Sequence, residues 1–105
     1  MDAVIVLTTL PAGADAVALA RTLVEERLVA CVNVLPAMQS IYRWQGAMQE
    51  DDERQLVMKT WRDRLGALDA RLTALHPYEI PELLVLETAG GGAAYLAWVH
   101  EQTRS

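Results

Sequence analysis

The sequence predicts an α+β fold of the split βαβ kind: an antiparallel sheet with two helices on one face and a third helix appended. Three observations predict it. Valine-rich runs that read as strands alternate with leucine stripes at helical spacing. Proline and glycine punctuate the boundaries between them. The chain's 105 residues fit a single domain spanning residues 1–105 and leave no room for two.

Ala3 to Thr9 is an apolar, β-branched run and reads as a buried first strand. Leu10-Pro11-Ala12-Gly13 breaks it, and Asp15 can cap a helix running to about Arg27. Val17, Leu19, Ala20, Leu23 and Val24 form that helix's apolar stripe. Val29 to Leu35 reads as a second strand, with a bulge or an edge position at Pro36. The extended pattern resumes at Ser40, with Ser40, Tyr42 and Trp44 sharing one face. Gly46 supplies a turn, and Met48 to Trp61 returns as the third strand. A hairpin this long outreaches so small a domain and is expected to pair with another chain.

Asp63 is the expected cap of a second helix, in which Leu65, Leu68, Leu72 and Leu75 recur at helical spacing until Pro77 stops it. Leu83 to Leu86 is apolar on both faces and therefore reads as a central fourth strand. Gly90-Gly91-Gly92 is a flexible break before a short last helix, Ala93 to Gln102, with Leu96 and Val99 on one side.

Composition narrows the function. Hydrophobic residues make up 52% of the chain and charged ones 22%, which excludes disorder and fits a subunit that buries area against copies of itself. Nine basic and fourteen acidic residues give a net charge of −5. That disfavours nucleic acid and anionic membrane as partners, since both need a basic surface. A single cysteine, Cys31, excludes an internal disulfide and suggests a reduced, cytoplasmic setting. The apolar run at the N-terminus is too short for a signal peptide, and no stretch is long enough to span a bilayer.

Few residues point to chemistry. No metal-binding cysteine or histidine pair, P-loop or nucleophile motif is present, so no enzyme activity is expected. Cys31 reads either as a small buried hydrophobe or as a soft thiolate that would need further ligands. His76 reads either as a helix-end histidine or as an imidazole held on a corner, free to bind a metal or small anion. Glu50-Asp51-Asp52-Glu53 reads as a solvated acidic loop before the third strand, with at most weak affinity for hard divalent ions. The aromatic residues read as core and subunit packing. Lys59 reads as one end of a salt bridge or as an anion contact in a pocket.

The combination Ala30-Cys31-Val32-Asn33, Ser40-Ile41-Tyr42-Arg43-Trp44-Gln45-Gly46, Glu53, Lys59-Thr60, His76-Pro77-Tyr78-Glu79-Ile80-Pro81-Glu82 and Tyr95-Leu96-Ala97-Trp98 resembles the CutA family of divalent-cation tolerance proteins. The resemblance covers nearly the whole chain. It implies a ferredoxin-like fold and a homotrimer similar in plan to the PII signalling proteins. It also implies weak binding of copper or another divalent cation, with no cofactor required and no catalysis. Cys31 and His76 carry over as metal ligands. Tyr42, Trp44, Glu53, Lys59, His76 and Tyr78 carry over as lining of a cleft at the subunit interface. Some relatives hold further cysteines in strand one and helix two, where this chain has Val6-Leu7-Thr8-Thr9 and Ala70-Arg71-Leu72. The alternative function is a regulatory module that takes a small anionic ligand or a protein partner in that cleft.

Overall fold

A computed structural model describes residues 2–105. Five strands form one sheet: β1 (Ala3–Pro11), β2 (Cys31–Val34), β3 (Met38–Trp44), β4 (Ala47–Trp61) and β5 (Leu84–Glu87). Three α-helices accompany them: α1 (Ala16–Glu25), α2 (Leu65–Leu75) and α3 (Ala93–Gln102). The sheet order is β2-β4-β1-β5, with β3 also paired to β4, and every pairing is antiparallel. Two βαβ crossovers therefore interleave, β1-α1-β2 and β4-α2-β5, as the sequence predicts.

The register sorts the side chains onto two faces. Val32, Met58, Val6 and Val85 lie in one row across the sheet, beside the row of Val34, Leu56 and Thr8. This face carries α1 and α2. Its core is built from Val4, Val6, Leu10, Leu56 and Met58 of the sheet, with Leu19 and Leu23 of α1 and Leu68 and Leu72 of α2. The Arg71 guanidinium joins the two helices by hydrogen bonds of 2.8 Å to both carboxylate oxygens of Glu26.

The opposite face carries Cys31, Lys59, Ile5 and Leu86 in one row and Asn33, Val57, Leu7 and Leu84 in the next. α3 closes the end of the sheet where β1 begins and β4 ends. There the His100 ring meets Trp61 edge-on at 4.7 Å, and Arg104 binds Asp63 at 2.6 and 2.7 Å. None of the described helices is long and apolar enough to cross a membrane.

Several local features differ from the sequence-based expectation. β5 is an edge strand, and its three apolar residues are exposed. Its two apolar faces signal something other than a central position. Asp63 caps nothing, because Arg104 holds its carboxylate and no side chain caps α2. α1 is capped by Asp15, which accepts from the Ala18 N–H at 2.9 Å. Ala16, Leu19, Ala20 and Leu23 of α1 are buried, while Val17 and Val24 are exposed. The acidic run lies inside β4 and is not a loop.

The long hairpin depends on two devices. Between the pairs Val34↔Leu56 and Met38↔Glu53, three residues (Leu35, Pro36, Ala37) face two (Arg54, Gln55). This is a β-bulge, placed where Pro36 can donate no ladder hydrogen bond. At the tip, Gln45 (φ 50°) and Gly46 (φ 80°) form a two-residue turn of the kind that matches strand twist. The arm helps stretch the molecule to 44 × 26 × 24 Å.

Candidate functional site

The bulge decides what the arm presents. Residues of opposite parity lie on opposite faces of a strand, and one extra residue exchanges the faces. Cys31 and Asn33 lie on the face without α1 and α2. Beyond the bulge, the even-numbered Met38, Ser40, Tyr42 and Trp44 take over that face. They share it with Glu53 and Asp51, which pair with Met38 and Ser40.

The segment after α2 closes the other side. His76 ends the helix in an extended conformation, as a residue preceding proline must. It is buried, and its ring is used twice. Nδ1 accepts the Tyr78 backbone N–H at 3.0 Å, so Nε2 carries the proton that it donates to the Thr9 carbonyl at 2.7 Å. His76 thus pins the 76–82 segment to β1 as a neutral imidazole.

Pinned in this way, Tyr78 reaches the sheet. Its hydroxyl donates to Glu53 Oε2 at 2.5 Å, and Glu53 is only 6% exposed. Burial, followed by the hydrogen bond to Glu53, raises the Tyr78 phenol above its ordinary value of 10.0. The Tyr42 hydroxyl donates to Asp51, which likewise raises its phenol. Gln55 Nε2 holds Glu82 Oε2 at 2.9 Å and fixes the far end of the segment.

The result is a cleft of 510 Å³ lined by Thr9, Tyr42, Trp44, Glu53 and residues 77–82. Apart from the Thr9 hydroxyl, its side chains are aromatic, aliphatic or acidic. Glu53, Glu79 and Glu82 contribute carboxylates, and no lysine or arginine lines it.

A family comparison supplies the context. Residues 4–102 match the model of the CutA1 divalent ion tolerance protein family. This chain belongs to that family. A CutA relative from Thermus thermophilus, called a divalent-cation tolerance protein, is 48% identical over 99 residues, covering 94% of this chain and 96% of its own length. The solved structure of a Thermus thermophilus Cut A1 superposes with a TM-score of 0.93 at 46% identity, over 97% of this chain and 99% of that one. A PII-like protein CutA from Nostoc gives a TM-score of 0.90 at 38% identity, over 96% and 97% of the two chains.

The expected CutA site residues are not all brought together. Tyr42, Trp44, Glu53 and Tyr78 line one cleft. Lys59 does not line it; its ammonium donates to Asn33 Oδ1 across the β2–β4 pair. The expected anionic ligand drew on Lys59, and the charged side chains that one chain places in the cleft are all acidic. Cys31 is half-buried beside Lys59, on the β2 side of β4. His76 is bonded to Thr9, which pairs with Gln55 on the β1 side, four residues back along the strand. Cys31 and His76 are thus about 13 Å apart along β4 alone, at ~3.3 Å per residue. Among the described residues, no three His, Cys, Asp or Glu side chains form a group that could hold a metal ion.

Glu79 and Glu82 belong to the cleft but were not expected there. The available signal was the pair Pro77 and Pro81, which stiffens the intervening chain and fixes where acidic residues beside it project.

Proposed function

We propose that this CutA protein is a cytoplasmic, non-catalytic homotrimer that acts in divalent-cation tolerance by binding copper or another divalent ion where its subunits meet. The observation that carries the reading is the face of the sheet that α1 and α2 leave bare. There Ile5, Leu7 and Val57 adjoin Leu84 and Leu86, which are 55% and 46% exposed. An apolar edge strand of this kind attracts another chain unless it is covered. The arm extends the same face outward. Cyclic association of identical copies covers such surfaces without leaving an open end.

Cys31 lies on this bare face, in the row that contains Ile5 and Leu86. Copies that meet there bring a soft thiolate into the interface, and soft ligands select copper and zinc over magnesium or calcium. A thiol must lose its proton to coordinate, so binding weakens on acidification. His76 enters this site only if a ring nitrogen gives up a backbone partner. Its replacement is therefore expected to disturb the 76–82 segment more than metal binding. The divalent-cation tolerance named for the relatives agrees with a role centred on the ions themselves.

Calorimetric titration with Cu²⁺ and Zn²⁺ at neutral and mildly acid pH tests the reading. Saturable binding that weakens in acid and is lost in Cys31→Ser supports it. Binding unaffected by Cys31→Ser, or no binding, contradicts it.

A further inference from the structure

We propose that the cleft between the β3–β4 arm and residues 77–82, which in the trimer proposed above opens where two subunits meet and whose named walls come from one chain, is a binding site for an organic cation, an alkylammonium of the diamine or polyamine class, separate from the metal ions. Its floor is Glu53, a carboxylate almost removed from water. Oε2 accepts the Tyr78 hydroxyl, and no described residue donates to Oε1. The oxygen left open suits a charged donor, since a hydrogen bond between two ionised partners is shorter and stronger than one between neutral groups.

The walls point to the same ligand. The rings of Tyr42, Trp44 and Tyr78 border the cleft, and aromatic faces attract organic cations. The hydrogen bond to Asp51 holds Tyr42 in the phenol form, and burial with the hydrogen bond to Glu53 does the same for Tyr78, so neither adds charge of its own. Glu79 and Glu82 bring further negative charge, and nothing basic among the lining residues offsets it. The volume of 510 Å³ falls within the usual range for small-molecule sites.

Chemistry separates the cations. A bare divalent ion needs several converging oxygen, nitrogen or sulfur donors, and no such group exists among the described residues. A guanidinium is best held by two parallel acceptors, but Tyr78 already occupies one oxygen of Glu53. An ammonium is a point donor and suits the single open oxygen. Its methylene chain can lie along the rings and Ile80. A second ammonium then finds Glu79, an exposed carboxylate in the cleft's lining. This favours diamines and polyamines over monoamines.

Calorimetric titration with putrescine and spermidine, against guanidinium chloride and magnesium chloride as comparators, tests the site. The expected result is saturable binding of both amines, spermidine the tighter, weakened by added salt and not matched by either comparator. Trp44→Ala and Glu53→Gln should each weaken it about tenfold or more, since they remove a ring face or the buried charge. Cys31→Ser should leave it unchanged, which separates this site from the proposed metal site. Absence of saturable amine binding at millimolar concentration would overturn the proposal. So would equal binding of magnesium or guanidinium, or wild-type affinity in Trp44→Ala. Trp44 is 40% exposed on the arm, so that variant decides the matter even if Glu53→Gln does not fold.

Discussion

Glu53 and its neighbours show how a few buried polar groups organise the cleft. Tyr78→Phe removes the one donor that Oε2 has and leaves a buried carboxylate short of a hydrogen bond. A loss of about 1–3 kcal/mol is expected in urea denaturation. The same phenol predicts a pH dependence. Burial and the bond to Glu53 raise its titration in the folded state, so from about pH 10 upward the unfolded chain releases a proton that the folded chain keeps. Its contribution to stability is complete below that pH and declines as the pH rises further. Denaturation curves of wild type and Tyr78→Phe across the alkaline range should converge. Thr8 offers the opposite experiment. It is fully buried, and its hydroxyl has no hydrogen-bond partner among the described residues. Thr8→Val is expected to stabilise the fold by about 1 kcal/mol, measured by urea denaturation, because it removes an unrewarded polar group.

The elements differ in how much of them the sequence made legible. β1, the helical periods, the stop at Pro77 and the limits of α3 could be read because each depends on local pattern. The bulge at Pro36 could be read as a break, but the face-swap it imposes could not. That swap depends on counting residues against β4, which is a non-local pairing. It explains why Tyr42 and Trp44 join Glu53, whereas Lys59, further along the same strand, serves Asn33. Asp63 was misread as a cap because its partner, Arg104, lies 41 residues away. Gly46 provides an element-scale prediction. A Cβ there would meet nothing within 4 Å, so only the positive φ opposes substitution. Gly46→Ala is expected to cost about 1–2 kcal/mol in chemical denaturation, through strain at the arm's tip alone.

The whole molecule leaves one side of its sheet unfinished. β5 reads as central because it is apolar on both faces, yet in the single chain it stands at the edge. The proposed association of copies would reconcile these facts, since a strand at the edge of one subunit would become internal to an assembly. The same argument accounts for a composition richer in apolar residues than one small domain can bury. Leu84→Glu combined with Leu86→Glu places two charges on the bare face and is expected to dissociate the assembly without removing any residue of the helix-covered core. Light scattering coupled to size-exclusion chromatography tests the central claim most directly. The account predicts a particle of three times the 11.6 kDa chain mass, reduced towards one chain by the double glutamate variant. A wild-type particle with the mass of one chain would contradict it.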